Sequence, residues 1–252
     1  METSHLFYRY YDTLFASKDY AGEVAAVFRL CADYSLQPLH NIIEIGCGTG
    51  SHTLELAKKS GIHVTAVDVD QAMLALAQVK AGLACSTNIS FAASLIGAKK
   101  ADLCVALFNV VNYLCETENL QRFFADIAMS LRRNGIFVFD CWNGSAALLD
   151  PPGSKKYEQQ SDELTISCLL TSQTDVARGI TTLNYHVELG ANTGEKVESG
   201  DHQLQHKLWT PPQIKAALEL AGLAVDTVCL PFRFEQTALE TDWKIMFVCR
   251  KL

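Results

Sequence analysis

The chain has 252 residues, 49% of them apolar and 19% charged, a globular balance that excludes a disordered or collagen-like chain. Its 28 acidic and 21 basic residues give a net charge of −7, and the basic residues are scattered rather than gathered into the basic face of a nucleic-acid binder. No apolar run reaches the roughly 18 residues of a membrane helix, and Met1-Glu2-Thr3-Ser4-His5 lacks the basic and apolar stretches of a secretory leader, so a cytoplasmic location is expected.

Residues 1–38 read as helical, with early aromatics at Phe7, Tyr8, Tyr10, Tyr11, Phe15 and Tyr20. Ala21 to Tyr34 is amphipathic, and Pro38 stops it. A β-rich run, Asn41 to Ile45, ends in a glycine cluster. Ser51 to Ser60 has helical spacing closed by Gly61. A strand over Ile62–Val67, a helix over Gln71–Ala81 and a weak strand over Ile89–Ala92 follow. An apolar strand over Ala101–Phe108, a helix over Leu120–Leu131 and a strand over Gly135–Cys141 complete the series. This alternation across residues 41–141, with near-continuous apolar strands, predicts an α/β protein whose doubly wound, mostly parallel sheet is covered on both faces.

The alternation breaks after Trp142. Three β-like runs, Leu164–Thr171, Ile180–Leu189 and His202–Trp209, have no helix between them, and Gly190-Ala191-Asn192-Thr193-Gly194 reads as a turn. An antiparallel insertion after strand five is expected. Thr210-Pro211-Pro212 opens a helix to about Ala221, with Thr210 at the N-cap and Pro211 at N1. Val225–Phe232 and Trp243–Arg250 are the last strands, seven in the main sheet. The expected units are a helical lid over 1–38, a ligand-binding α/β domain over 39–145 and 210–252, and an insertion over 146–209 for substrate or dimer contacts.

The chemistry concentrates in Glu44-Ile45-Gly46-Cys47-Gly48-Thr49-Gly50-Ser51. A glycine cluster between strand and helix lets a ligand approach the backbone and aims the free N–H groups of the helix start at it. A dinucleotide fingerprint places its third glycine three positions after the second; here Gly50 follows Gly48 by two. Asp68 ends the second strand, 18 residues after Gly50, where a carboxylate can hold both ribose hydroxyls of an adenosine. Asp70 suits an N-cap for the following helix better than Asp68 does.

The glycine loop resembles motif I of class I S-adenosylmethionine-dependent methyltransferases. Val67-Asp68 resembles the acidic end of their second strand, and Leu131-Arg132-Arg133-Asn134-Gly135 is similar to their entry into strand five. The resemblance covers roughly residues 40–145 and implies a Rossmann-like methyltransferase fold with S-adenosyl-L-methionine as cofactor. It implies that Gly46 and Gly48 border the methionine and ribose, with Gly50 completing the loop. It puts Glu44 near the amino group, Asp68 on the ribose diol, Val69 and Met73 beside the adenine, and Phe108 and Asn109 toward the methionine end and the substrate. Relatives often carry an acid after strand three; here Ser94 is the nearest polar candidate.

Tyr10-Tyr11-Asp12, Lys18-Asp19-Tyr20-Ala21-x-Glu23 and Leu107 to Leu114 resemble bacterial sugar N-methyltransferases that act on nucleotide-linked amino sugars. Tyr11 and Tyr20 are candidates for a lid over the cofactor's sulfonium, whose charge suits aromatic faces. An amine acceptor must lose a proton, and His202, in Asp201-His202-Gln203-Leu204-Gln205-His206, is the candidate base, since it resembles a strand histidine of some relatives. His206 shares its strand face, and His186 is a rival. Trp142 and Asn143 are candidates to shape the substrate pocket.

Asp150-Pro151-Pro152-Gly153 lacks the aromatic residue and the strand-four position of the motif in base-methylating enzymes, so nucleic acid is not expected as partner. The remaining histidines (His5, His40, His52, His63) have no metal-ligand spacing, and the nine cysteines form no CxxC pair. The expected function is methyl transfer to a small-molecule N or O acceptor, with a homodimer as a possible assembly. An NAD-dependent oxidoreductase with a degenerate loop and a non-catalytic S-adenosylmethionine-binding protein are the alternatives.

Overall fold

The computed structural model describes residues 5–97, 99–160, 164–191 and 196–252. The chain opens with two short helices, α1 (His5–Arg9) and α2 (Tyr11–Leu14), and a long one, α3 (Tyr20–Tyr34). The Asp19 side chain caps α3 by accepting from Gly22 N–H at 2.9 Å, which satisfies an amide that the helix itself leaves open. The α/β series is β1 (Asn41–Ile45), α4 (Ser51–Ala57), β2 (His63–Val67), α5 (Gln71–Leu83), β3 (Ile89–Ala92), β4 (Ala101–Ala106), α6 (Thr117–Ser130) and β5 (Leu131–Trp142). Asp70 is the N-cap of α5, accepting from Ala72 N–H at 2.8 Å.

After β5 come α7 (Gly144–Leu149), β6 (Lys155–Gln160), β7 (Leu164–Asp175), β8 (Ile180–Ala191) and β9 (Lys196–Lys207). The turn expected over residues 190–194 lies largely outside the described residues. The chain then returns through α8 (Pro211–Leu220), β10 (Leu223–Leu230), β11 (Arg233–Thr237) and β12 (Lys244–Lys251). Gln213 closes the start of α8 by accepting from Thr210 N–H at 2.9 Å.

The main sheet has the order β11-β10-β12-β5-β4-β1-β2-β3. Pairings from β3 across to β5 are parallel, and those of β12 with β5 and β10 are antiparallel. The main sheet therefore has eight strands, against the seven expected. The extra one, β11, is an edge strand of mostly exposed residues paired antiparallel to β10, and it offers little apolar periodicity to read. The mostly parallel doubly wound architecture with an antiparallel insertion is as expected. The insertion, β6-β7-β8-β9, is a separate antiparallel sheet, one strand larger than expected. Its first strand, Lys-Lys-Tyr-Glu-Gln-Gln, is largely exposed.

All six residues of β4 are buried, which is why that segment is apolar but for Asp102. Phe137, Phe139 and Phe247 stack across the middle of the sheet with centroids 4.8 and 5.0 Å apart. Each fully buried phenylalanine contributes about 1.5–3 kcal/mol of transfer free energy. Leu120, Phe124 and Ile127 close α6 over that face. Strand order reverses between β1 and β4, and the crevice beyond the carboxyl ends of such strands is where a doubly wound sheet binds ligands. Leu6, Phe7 and Leu14 of the first helices pack onto Ile166, Leu183 and Val187 of the insertion, so the two close over that crevice from one side.

Candidate active site

A cavity of about 1470 Å³ opens at this reversal point. Its floor is the glycine loop after β1. Gly46 has φ +70°, and a Cβ there would lie 2.5 Å from Val110 Cγ2, so a side chain is excluded by both conformation and contact. Gly48, at φ +55°, has open space where its Cβ would be, which leaves bare backbone facing the cavity.

The loop amides are not free. Gly46 and Cys47 N–H both donate to the Val67 carbonyl, at 2.7 and 3.0 Å. Gly48 N–H donates to Asp68 Oδ2 at 2.7 Å. The helix-start N–H groups expected to face a ligand are distinct from these three loop amides. The end of β2 consumes them, and what the loop offers a ligand is close approach. Asp68 is correspondingly fixed: Oδ1 accepts from Asp70 N–H at 2.9 Å. Burial raises its carboxyl above the ordinary range, opposed by the Asp70 and Gly48 amides.

Gly46, Gly48, Asp68, Val69, Met73, Ser94, Phe108, Asn109, Tyr11 and His202 all line the cavity. Glu44, Gly50 and Tyr20 do not. Gly50 is the left-handed N-cap of α4 and packs toward Ala77. Glu44 is buried behind the loop, where its carboxylate accepts from Thr53 Oγ1 and stands 3.9 Å from His52 Nδ1. Burial pushes its carboxyl up to about 7. His52 Nε2 meets Glu23 at 2.7 Å, and the Tyr20 ring lies edge-on to His52 at 4.8 Å. Glu44 and Tyr20 thus belong to one buried polar cluster that braces α3 against α4. Burial pushes the Tyr20 hydroxyl up to about 12, so it remains a neutral phenol.

The first helices are tied across the loop. Tyr8 OH donates to Asp70 at 2.9 Å. Asp12 accepts from Thr49 Oγ1 at 2.6 Å and pairs with Lys80 at 2.6 Å. Tyr11 packs on Phe15 and Phe7, and burial raises its hydroxyl well above the ordinary value. His202 stacks on Phe7 with centroids 4.3 Å apart, and burial lowers its imidazole. His186 is partnered by Asp201 at 2.7 Å on the exposed face of the insertion and does not line the cavity.

The far wall joins the expected Phe108 and Asn109 to Asp140 and Asn112, which pattern reading overlooked. Phe108 and Asn109 both have left-handed φ, +74° and +64°, a costly conformation for residues with side chains. Asp140, fully within β5, holds that bend by accepting from Phe108 N–H at 2.6 Å. Asn112 is a three-way tie. Its Nδ2 donates to the Lys207 carbonyl at 2.8 Å, and its Oδ1 accepts from Trp142 N–H at 2.9 Å. A buried Asp within an apolar strand and an Asn in an apolar run are the signals that mark them.

Comparison with known proteins agrees with this geometry. Residues 42–135 match the family model described as a methyltransferase domain. A curated protein from Geobacillus sp. (strain WCH70), bearing a provisional methyltransferase name, is 34% identical over 143 residues, 55% of this chain. The chain spans 57% of that relative's length. A solved S-adenosylmethionine-dependent methyltransferase from Clostridium acetobutylicum superposes with a TM-score of 0.76 at 19% identity, covering 96% of each chain. The sugar N-methyltransferase KedS8 from Streptoalloteichus gives 0.78 at 21% identity, covering 100% of this chain and 94% of its own. Residues 42–135 thus match a methyltransferase domain, and the chain shares the fold of solved S-adenosylmethionine-dependent methyltransferases.

Proposed function

We propose that the chain transfers a methyl group from S-adenosyl-L-methionine to a small-molecule N or O acceptor bound in the aromatic part of the cavity. The observation that carries this reading is the pairing of bare backbone at Gly48 with a fixed carboxylate at Asp68 on one wall of a large crevice. The residues fit an adenosyl sulfonium. Asp68 would hold the ribose diol, Met73 and Val69 the adenine edge, and Ser94 the base from the β3 side. Asn109 Oδ1, buried and without a hydrogen-bond partner among the described residues, is an acceptor available to the methionine ammonium.

The cofactor supplies an activated methyl on a good leaving group. The chain's work is then to exclude water and hold the acceptor in line, which can lower the barrier by several kcal/mol. Residues 5–38 serve as the lid in this reading and the insertion as the acceptor wall. Of the two aromatic lid candidates, Tyr11 lines the cavity and Tyr20 does not. A nicotinamide cofactor is disfavoured because the loop's third glycine comes one position early.

No helix among the described residues is long and apolar enough to cross a membrane. The nine cysteines are unpaired and mostly buried, which supports a reducing, cytoplasmic setting. The test is a calorimetric titration with S-adenosylhomocysteine beside NAD, followed by an acceptor screen with labelled cofactor. Binding of NAD alone would replace this reading with the oxidoreductase one. Binding of S-adenosylhomocysteine with no acceptor turned over would favour the non-catalytic one.

A further inference from the structure

Strand β9 turns two histidines, His202 and His206, to its buried face. His206 meets Tyr113 edge-on at 4.6 Å and Trp142 at 4.7 Å, all three on the cavity wall. It is 4% exposed, and neither ring nitrogen has a hydrogen-bond partner among the described residues. A buried polar atom left unpaired forfeits its hydration with nothing in return. An apolar side chain would fill this space without that cost, so two unpaired atoms on one ring call for a function.

The frame around the ring is rigid, because Asn112 ties Lys207 and Trp142 together on either side of it. Tyr113 is different: it covers the imidazole edge yet is itself 47% exposed. The charge that reaches His206 is the Lys244 ammonium, which acts with burial to push the imidazole down to about 4. The ring is therefore neutral, with one N–H and one lone pair. Asp68 and Asp70 belong to the ribose side, Asp126 to α6, and Asp150 is exposed. A cationic amine beside His206 would meet Lys244, whose charge the buried Asp140 behind the wall partly offsets, and no buried carboxylate among the described lining residues, whereas a hydroxyl meets no such repulsion. Tyr113, Trp142, Tyr185 and Trp243 make the surrounding walls flat and aromatic.

We propose that His206 is the catalytic residue that receives the acceptor, a planar aromatic hydroxyl compound whose ring displaces that of Tyr113 and whose O–H donates to the imidazole. The inference rests on the methyl-transfer reading above. The hydroxyl oxygen forms a bond to the methyl carbon as the carbon–sulfur bond breaks, and that electron pair stays on sulfur as a thioether. The hydroxyl proton passes to His206, giving an imidazolium that loses it to water. Burial opposes separating charge between the two, so the proton moves to His206 as the carbon–oxygen bond forms and the attacking oxygen becomes strongly acidic, while Lys244 weakens the base and strengthens the acid together.

The probe is 4-nitrophenol, titrated by absorbance into protein saturated with S-adenosylhomocysteine. Wild type should bind it saturably, and binding of the cationic benzylamine should be weaker. His206→Phe should lose at least about tenfold in 4-nitrophenol affinity while S-adenosylhomocysteine affinity is unchanged. His206→Gln, which keeps a donor and an acceptor, should bind within about threefold of wild type. With S-adenosylmethionine present, at a pH that keeps the probe protonated, it should slow formation of the methyl ether about a hundredfold. Tyr113→Ala should bind at least as well as wild type. The inference is overturned if the S-adenosylhomocysteine complex ignores 4-nitrophenol, prefers benzylamine, or binds 4-nitrophenol equally well as His206→Phe. Failure to bind S-adenosylhomocysteine at all would instead sink the wider reading.

Discussion

Asp68 carries two backbone amides in the structure, from Gly48 and Asp70, so its carboxylate is oriented before any ligand arrives. Asp68→Ala should therefore weaken S-adenosylhomocysteine binding by about 1–3 kcal/mol, roughly tenfold to a hundredfold in Kd by calorimetry. Unchanged affinity would remove Asp68 from the site. Gly46→Ala tests the loop itself. A Cβ at 2.5 Å from Val110 and a φ of +70° should cost about 1–3 kcal/mol of stability, read as a lower Tm with an otherwise native spectrum. Glu44 makes a pH prediction. Its carboxyl is raised from 4.5 to about 7, so the folded state binds the extra proton between those values. Stability should fall as pH rises through that window. Denaturant melts of Glu44→Gln should lack that slope; an identical slope in the variant would show that Glu44 does not titrate there.

At the scale of elements, the polar ties across the glycine loop decide how α1 and α2 behave. Asp12→Ala removes contacts to Thr49 and Lys80. It should speed hydrogen exchange over residues 5–20 while leaving the main sheet protected. Unchanged exchange would mean that the apolar packing of Phe7 and Leu14 alone holds these helices. The elements legible in the sequence were those with strong periodicity or marked ends. Buried β4, the Asp70 cap of α5 and the Thr210-Pro211 start of α8 each declare themselves locally. The exposed strands β6 and β11 do not, since an edge or solvent-facing strand lacks the alternation that marks a half-buried one. Within the site, the glycine loop and Asp68 were readable from spacing. Asn112 and Asp140 were not, because their partners lie about 30 or more residues away and only the fold brings them together. Tyr20 and Glu44 looked like cavity residues by position in the chain, yet their side chains turn to the cluster behind the loop.

For the whole molecule, the first helices, the glycine loop and the insertion line one crevice at the strand-order reversal, and a ligand that binds there should stabilise all three. A nucleoside held only by the folded state raises stability by about 2.7 kcal/mol at a hundredfold excess over Kd. For a chain of this size that corresponds to a Tm rise of roughly 5–10 °C. The most direct measurement is calorimetric titration of the purified protein with S-adenosylhomocysteine. Saturable binding at one site per chain, weakened in Asp68→Ala, is the predicted result. No heat at millimolar nucleoside, or full affinity in the variant, would contradict the assignment of this crevice to an adenosyl sulfonium.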